Sequence, residues 1–149
     1  MSDTAQPTPP AGDERPPKPR PAPTLDPDTE AYYAAAHDGR LLVQRCTSCG
    51  NVQLYARDRC LRCRSEVEWI EASGRGSVYS FTVIRQNYQR PFRDQLPYVV
   101  ALVDLEEGPR LMTNVVGCDP DDVHIGMAVR ATFEPVSEDA GIALFEPAP

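Results

Sequence analysis

In the second half of the chain, hydrophobic residues occur in short runs with the alternating pattern of β-strands. Turn-forming residues separate the runs, for example at Glu106-Glu107-Gly108-Pro109. The predicted strands cover residues 77–85, 97–105, 110–116, 127–134 and 142–145. Five short strands within residues 73–149 favour a small closed barrel, with the OB-fold as the first choice.

A short helix is predicted before Gly39. Asp26 is suited to accept hydrogen bonds from the first N–H groups of the helix, and Pro27 fits the first helical position. Gly39 can end the helix in the left-handed conformation. Tyr32 and Tyr33 are adjacent, so we expect them to point to different faces of the helix, one of them away from the ribbon.

Two pairs of cysteines lie among short strand-like segments in residues 40–72. Each pair has CxxC spacing, and ten residues separate the pairs. Four thiolates arranged as two close pairs can complete a tetrahedral shell around one Zn²⁺ ion. The four cysteines are Cys46, Cys49, Cys60 and Cys63. Because such a shell leaves no position for water or substrate, we predict a structural zinc site.

Three other chemistries use cysteines in such pairs. A disulfide framework is disfavoured because the chain has a fifth cysteine, Cys118, and no signal-peptide pattern. A thioredoxin-like redox pair belongs in a βαβ unit, whereas the flanks here resemble strands and turns. A rubredoxin-type iron site has the same four ligands, and the spacing does not distinguish iron from zinc.

The first 24 residues hold eight of the sixteen prolines and almost no large hydrophobic residue. Such a segment cannot bury enough apolar surface to offset its ordering entropy. We predict a disordered tail or linker over residues 1–24, with a partner-binding polyproline segment as the alternative. The helix and zinc ribbon are predicted in residues 25–72, and the barrel in residues 73–149.

The composition limits the classes of function. The chain has 149 residues and a formal net charge of −7, so as a whole it is not built to lie on a polyanion. No run of residues is long and apolar enough to span a bilayer, so no membrane association is expected. Reduced cysteines without an export signal favour a cytoplasmic protein.

Positive and negative residues are unevenly distributed along the chain. Residues 40–64 carry six arginines and one acidic residue, whereas residues 101–149 carry ten acidic residues and two arginines. One interpretation is that the arginines are solvated and offset the negative charge of a Zn(Cys)₄ centre. The other is an anion-facing patch for phosphates or for an acidic partner surface.

Four motifs occur in an order that points to a known family. They are Gln44-Arg45-Cys46-Thr47-Ser48-Cys49-Gly50, Cys60-Leu61-Arg62-Cys63, Ser73-Gly74-Arg75-Gly76 and Val103-Asp104-Leu105-Glu106-Glu107-Gly108. Together they resemble the DUF35 family of acyl-CoA-associated proteins. The resemblance implies a mainly β fold, with a short helix and a rubredoxin-like zinc ribbon followed by a five-stranded OB-fold barrel. One departure is Arg64, at a position where the family often has glycine.

The resemblance also implies a function as a partner subunit. Family members act with a separately encoded thiolase-like or lipid-transfer-type protein on carbon–carbon bonds of acyl-CoA thioesters, by retro-aldol or thiolytic chemistry. They serve the degradation of steroid side chains, aromatic acids and related compounds. In such pairs the catalytic residues come mainly from the thiolase-like chain. We therefore expect a hetero-oligomer, with acyl-CoA as a ligand and no catalytic residue on this chain.

Five residues are candidates for binding CoA or the partner. Arg57, Arg59 and Arg62 are suited to grip the phosphates of CoA or an acidic partner surface. Tyr88 and Phe92 lie in a long loop between two predicted strands and are candidate interface anchors, since buried aromatic residues dominate such contacts. The alternative is that these two rings cover one end of the barrel within this chain.

The residues themselves offer no recognisable catalytic set. His37 lies at the helix end, where a capping role is the default, and His124 lies in a turn. Cys118 follows a predicted strand, where a free cysteine is ordinarily a small hydrophobic residue. The alternative function is nucleic-acid binding, in which barrel aromatics would stack on bases. It is disfavoured because the barrel segment is acidic where a binding groove should be positive.

Overall fold

The computed structural model describes residues 18–149, which form one α-helix, eight strands and two 3₁₀ turns. Helix α1 spans Glu30–His37, and the 3₁₀ turns span Phe92–Gln95 and Pro120–Asp122. The strands are β1 Leu42–Cys46, β2 Val52–Gln53, β3 Val67–Glu71, β4 Arg75–Ile84, β5 Tyr98–Leu105, β6 Arg110–Val115, β7 Ala128–Pro135 and β8 Gly141–Pro147. Most of the predicted proline-rich tail, residues 1–17, lies outside the described residues.

Helix α1 ends before Gly39 as predicted, but its N-cap residue is Thr29 and not the predicted Asp26, and Pro27 lies in the turn before the helix. The Asp26 carboxylate accepts hydrogen bonds from the N–H groups of Asp28 and Thr29, at 3.0 and 2.9 Å, in the turn that leads into α1. Gly39 has a φ of +78°, and its N–H donates to the Ala36 carbonyl. The helix has eight residues. Within residues 18–149 no helix is both long and apolar enough to cross a membrane.

A three-stranded antiparallel sheet carries the two cysteine pairs. Strand β1 is central, with β2 on one side and β3 on the other. Val43 and Arg45 of β1 are two positions apart and lie on the same face of the sheet. Val43 is fully buried, whereas Arg45 is exposed and its guanidinium donates to the Glu68 carboxylate of β3 at 2.7 Å. This face of the ribbon therefore packs inward at its Val43 end and is solvated at its Arg45 end.

Strands β4 to β8 form a closed barrel with the order β4-β5-β6-β8-β7. Neighbouring strands are antiparallel, except that β6 and β8 are parallel. Every second residue of β5 is buried, so Val99, Ala101 and Val103 fill the barrel interior. The five-stranded OB-fold predicted from the sequence is confirmed.

The ribbon, the helix and the barrel share one hydrophobic core. Leu41 and Val43 lie in the same apolar cluster as Val78 and Phe145 of the barrel. Gly141, at the start of β8, lets α1 approach closely, because a Cβ atom there would lie 2.6 Å from the His37 backbone nitrogen. Packing therefore fixes the ribbon and helix against one side of the barrel.

The prediction that one of Tyr32 and Tyr33 points away from the ribbon is wrong. Their rings meet edge to face with centroids 5.3 Å apart, and both line one cleft between α1, the ribbon and the barrel. Adjacent helical side chains are separated by about 100° around the axis. Because α1 lies at the junction of two other units, neighbouring elements cover both positions.

A candidate metal centre and its surroundings

The four cysteines predicted to bind zinc come together at one end of the ribbon. The Sγ atoms of Cys46 and Cys63 are 3.4 Å apart, and those of Cys49 and Cys60 are 3.7 Å apart. All four sulfurs lie within 4.8 Å of one another. A tetrahedron of Zn–S bonds of about 2.3 Å has sulfur–sulfur separations of about 3.8 Å. The donor set therefore fits one metal ion held by four thiolates.

Backbone N–H groups point at the sulfur atoms in both knuckles. The N–H groups of Ser48 and Cys49 lie 3.4 Å from Cys46 Sγ, and the N–H of Arg62 lies 3.3 Å from Cys60 Sγ. Ser48 and Arg62 occupy equivalent positions, two residues after the first cysteine of each pair. Hydrogen bonds of this kind stabilise a thiolate relative to a thiol, and so favour binding of a cation.

Local hydrogen bonds and neighbouring sulfurs shift the pKa values of Cys49, Cys60 and Cys63 in different directions. The hydroxyl and N–H of Ser65 lower the pKa of Cys63 to about 6. The N–H of Cys63 lowers the pKa of Cys60. The N–H of Asn51 acts in the same direction on Cys49, but the neighbouring sulfurs and burial together raise the pKa of Cys49 to about 11. Metal binding must therefore displace a proton from Cys49, because the ligand is the thiolate.

The second knuckle places Arg64 where the first knuckle has Gly50. Both residues have a left-handed backbone, with φ of +66° and +72°. The N–H of Arg64 donates to the Cys60 carbonyl at 3.0 Å, as the N–H of Gly50 does to the Cys46 carbonyl at 3.2 Å. The missing glycine therefore leaves the knuckle geometry intact, although an arginine in this conformation costs about 1 kcal/mol.

Two buried glutamines hold the loop that joins the knuckles. Gln44 of β1 and Gln53 of β2 face each other in the sheet, and Gln53 Nε2 donates to Gln44 Oε1 at 3.1 Å. The Gln44 amide binds both the carbonyl and the N–H of Arg57, each at 2.9 Å. Gln53 binds the carbonyl of Arg59 at 3.2 Å and the N–H of Leu61 at 2.9 Å. Four backbone groups of the loop are thereby satisfied inside the ribbon.

The sequence did not point to these glutamines, because a polar residue in a strand ordinarily faces solvent. The one feature of the sequence that could have indicated their role is their position, because Gln44 lies just before the first cysteine pair and Gln53 just after it. A hairpin through that pair places them opposite each other. The glutamines bind only backbone groups of Arg57 and Arg59, and the guanidinium groups of these two arginines lie on the surface.

The three arginines predicted to bind CoA or a partner are all exposed and lie on this loop and the second knuckle. The Arg57 guanidinium donates to the Ala56 carbonyl at 2.7 Å, and the Arg59 guanidinium lies 4.0 Å from the Glu66 carboxylate. Arg62 lines a cleft between the ribbon and β6. Arg57, Arg59 and Arg62 thus form a cationic rim beside the metal centre, here called the arginine rim.

The two aromatic candidates lie on a different element, the long loop between β4 and β5. Tyr88 is 81% exposed, and its hydroxyl contacts the side-chain amide of Gln86. Phe92 is half-buried, and its ring centroid lies 6.3 Å from that of Tyr98. Phe92 therefore packs on the barrel, whereas Tyr88 projects into solvent.

An apolar cleft of about 170 Å³ lies where α1, the ribbon and the barrel meet. Tyr32, Tyr33 and Tyr55 line it, and burial raises the pKa of Tyr32. The Tyr55 hydroxyl accepts a hydrogen bond from the Met112 N–H of β6 at 2.9 Å. Strand β6 pairs with β8 at a single position, so the Met112 N–H has no acceptor on β8. The Tyr55 hydroxyl is its acceptor instead. The ribbon therefore continues the barrel surface at this edge.

The two histidines and the fifth cysteine lie outside the metal centre, His37 at the end of α1 and the other two in the connection between β6 and β7. His37 Nδ1 is 3.6 Å from the Asp38 carboxylate, and His124 Nδ1 is 3.1 Å from the Asp122 carbonyl. Cys118 is half-buried, and burial raises the pKa of its thiol. A raised pKa disfavours the thiolate that a nucleophile or ligand requires.

Comparison with protein families assigns both parts of this architecture. The rubredoxin-like zinc ribbon domain of ChsH2 matches residues 34–68, and the C-terminal OB-fold domain of ChsH2 matches residues 69–134. The four cysteines all lie in the first match, which identifies a zinc-ribbon domain with ligands for one metal ion.

Individual proteins resemble the chain over different shares of their length. A DUF35 domain-containing scaffold protein of Methanocaldococcus jannaschii is 43% identical over 101 residues, which are 66% of this chain and 71% of that protein. A probable enoyl-CoA hydratase alpha subunit of Thermomonospora curvata is 37% identical over 138 residues, which are 91% of this chain. The chain spans 42% of the length of that hydratase subunit.

A solved structure described as the Ltp2–ChsH2(DUF35) aldolase contains a chain with the same fold. The two chains are 36% identical and superpose with a TM-score of 0.78. The match covers 86% of this chain and 100% of the other. It therefore includes both the ribbon and the barrel.

Proposed function

The chain belongs to the DUF35 family of zinc-ribbon and OB-fold proteins, and from this premise we propose that it is a partner subunit of a thiolase-like enzyme in acyl-CoA metabolism. The enzyme, of lipid-transfer type, cleaves a carbon–carbon bond of an acyl-CoA thioester by a retro-aldol or thiolytic step. Steroid side chains and aromatic acids are the substrate classes proposed. This chain supports the enzyme and helps to form the acyl-CoA site, while the catalytic residues lie on the partner.

The observation that supports this proposal most directly is the likeness to the ChsH2(DUF35) chain of a two-component aldolase. The whole of that chain is matched, with a TM-score of 0.78. Pre-organised partners ordinarily change little in backbone when they bind. A chain that keeps the arrangement of ribbon and barrel is therefore suited to the same kind of assembly.

The chemistry of the metal centre supports a scaffolding role. When zinc is bound, it cross-links the two knuckles and fixes the ribbon. Cys46, Cys49, Cys60 and Cys63 fill a four-coordinate shell and leave no ligand position for substrate. The ribbon's contribution to function then comes through its surface.

Two sets of residues are proposed to act at that surface. The arginine rim is suited to the phosphates of CoA or to acidic residues of the partner, because arginine can donate two parallel hydrogen bonds to either. Tyr88 and Phe92 are proposed as contacts to the partner from the barrel loop. Tyr88 is the better anchor of the two, since it is 81% exposed whereas Phe92 is half-buried.

Co-expression tests the proposed function. The chain is produced with the thiolase-like protein encoded nearest to its own gene, purified through a tag on one component, and assayed for cleavage of acyl-CoA thioesters. We expect a stable hetero-oligomer that cleaves the thioester, and a thiolase-like component that is inactive or insoluble by itself. A thiolase-like protein that is fully active alone and does not co-purify would contradict the proposal.

A further inference from the structure

Large hydrophobic side chains are exposed mainly on one side of the molecule. Within residues 18–149 six of them are exposed, and four belong to this side: Tyr55, Leu61, Tyr79 and Met112. The exposed fraction is 50% for Tyr55, 59% for Leu61 and 60% for Met112. Scattered exposed hydrophobic residues are normal, but a contiguous group marks an interaction surface.

Contacts show that these four side chains belong to one continuous surface. The Tyr55 hydroxyl is bonded to the Met112 N–H, which joins ribbon to barrel. Leu61 shares a cleft with Arg110 of β6. The Arg110 guanidinium carbon lies 3.2 Å from the centroid of the Tyr79 ring. The surface therefore runs from the second knuckle across β6 to β4.

The outer face of the barrel extends this surface. The strand register places Met112 beside Leu102, and Leu102 beside Ser80, while Val100 lies in the next row. Val100 and Leu102 point away from the barrel interior and are half-buried. Strand β5 is therefore apolar on both faces up to Asp104, which is the pattern of a strand that is covered on both sides. Residues 18–149 bury the inner face fully and cover the outer face only in part.

The charges around this surface indicate the chemistry of the partner. Within it, the Asp104 carboxylate neutralises Arg110 at 2.6 Å. At its ribbon border the arginine rim is exposed, and its three arginines have two acidic neighbours, Asp58 in the loop and Glu66, which lies 4.0 Å from Arg59. A nucleic acid would require net positive charge over the barrel face itself. The arrangement instead matches an apolar protein surface bordered by carboxylates.

We propose that this surface, here called the ribbon–barrel face and defined by Tyr55, Leu61, Tyr79, Val100, Leu102 and Met112, binds the thiolase-like partner. The inference rests on the proposed function and adds the location of the interface. The partner supplies an apolar patch that covers the outer side of β5 and β6, together with acidic residues that meet the arginine rim. The excess of arginine at the border favours this partner over a second copy of the chain, which would bring the same arginines.

Glutamate substitutions on this face test the inference. Met112→Glu and Leu61→Glu each place a charge in the centre of the proposed interface, on the barrel and on the ribbon. Both side chains are exposed, so folding should be unaffected, which zinc content and thermal unfolding verify. Ile125→Glu is the matched control, because Ile125 is 71% exposed but lies in the loop before β7. Affinity for the thiolase-like protein is measured with each full-length variant.

We expect at least tenfold weaker binding for Met112→Glu and Leu61→Glu, and unchanged binding for Ile125→Glu. If the unmodified chain binds but both interface variants bind equally well, the inference is overturned while the proposed function stands. A chain that self-associates through Met112, with partner affinity independent of it, would also overturn the inference in favour of a homodimer contact. If the unmodified chain does not bind the thiolase-like protein at all, the result contradicts the proposed function itself, and with it the inference about the interface.

Discussion

At the scale of single residues, Arg64 has a backbone conformation that is costly for any residue except glycine. Its φ of +66° matches the +72° of Gly50 in the other knuckle. We expect Arg64→Gly to raise the free energy of unfolding of the zinc-loaded protein by about 1 kcal/mol. Thermal unfolding should show an increase in Tm of about 2–4 °C.

Arg62→Gly is the control for this substitution. Arg62 lies in the same knuckle, and its φ is outside the left-handed region. Glycine there removes an arginine without relieving strain, so Tm should stay the same or fall. Equal increases for the two variants would mean that loss of charge, and not backbone conformation, is responsible.

Gln44 gives a second test at this scale. Its side-chain amide satisfies both backbone groups of Arg57 in the ribbon interior. Gln44→Leu keeps the volume but leaves these groups unpaired, so we expect a loss of about 1–3 kcal/mol in the free energy of unfolding. Gln89→Leu, at an exposed loop position, should cost little. Denaturant unfolding of the zinc-loaded variants would show whether the two differ.

The residue scale also shows which parts of the site the sequence could reveal. The four cysteines were predictable because metal ligation requires particular side chains at particular spacings. Gln44 and Gln53 were not, because their partners are backbone groups of a loop that folds back on the sheet. A backbone group is present at every residue, so a side chain that binds one requires no particular residue type at the partner position. Gln44 and Gln53 could therefore be identified only from the fold.

At the scale of elements, the ribbon depends on its metal more than the barrel does. Strand β2 has two residues and β1 has five, so the sheet buries little surface of its own. Trp69 of β3 is the single tryptophan of the chain and pairs with Gln44 of β1. Its fluorescence therefore reports on the ribbon alone.

We expect a strong chelator to shift the Trp69 emission to longer wavelength, as the ribbon opens and water reaches the indole. Far-ultraviolet circular dichroism should keep most of the barrel signal. Cys60→Ser should show the shifted emission without chelator, because one ligand is lost. Cys118→Ser, which changes the cysteine outside the ribbon, should behave as the unmodified chain. An emission spectrum that does not respond to metal loss would argue against a structural role for the metal.

The elements themselves were largely predictable. Five barrel strands and one helix follow from alternation, turn residues and capping, which are local properties. The surroundings of the helix were not, because α1 contacts the ribbon and β8 at the same time. Gly141 is the residue that permits this contact, and it lies more than 100 residues from α1 in the chain. Local sequence patterns do not predict a contact between residues that are so far apart in the chain.

At the scale of the whole molecule, the shared core determines which surfaces lie side by side. Leu41 and Val43 of the ribbon segment pack with Val78 and Phe145 of the barrel. Together with the bond between Tyr55 and Met112, this packing places the ribbon along the edge of β6. The arginine rim and the apolar outer face of β5 are therefore neighbours. This is the arrangement expected of a surface that combines an apolar centre with a charged border.

Reversal of the three charges on the arginine rim tests this arrangement as a unit. In the complex with the thiolase-like protein, Arg57, Arg59 and Arg62 are replaced together by glutamate. We expect at least a tenfold loss in affinity for the partner, or a tenfold increase in KM for acyl-CoA, because each lost contact joins an arginine to an anion. The effect should diminish at high salt, since exposed charges are screened.

Arg85→Glu is the control for charge reversal, because Arg85 is exposed at the end of β4 and pairs with Asp121 at 2.8 Å. Arg85→Glu should change neither the affinity for the partner nor the KM for acyl-CoA. If partner affinity falls and KM does not, the rim belongs to the protein interface, and the ribbon–barrel face and the rim form one contact. If KM rises and partner affinity is unchanged, the rim faces the nucleotide end of CoA. If the triple variant retains both its affinity and its KM, the arginines only offset the negative charge of the metal centre.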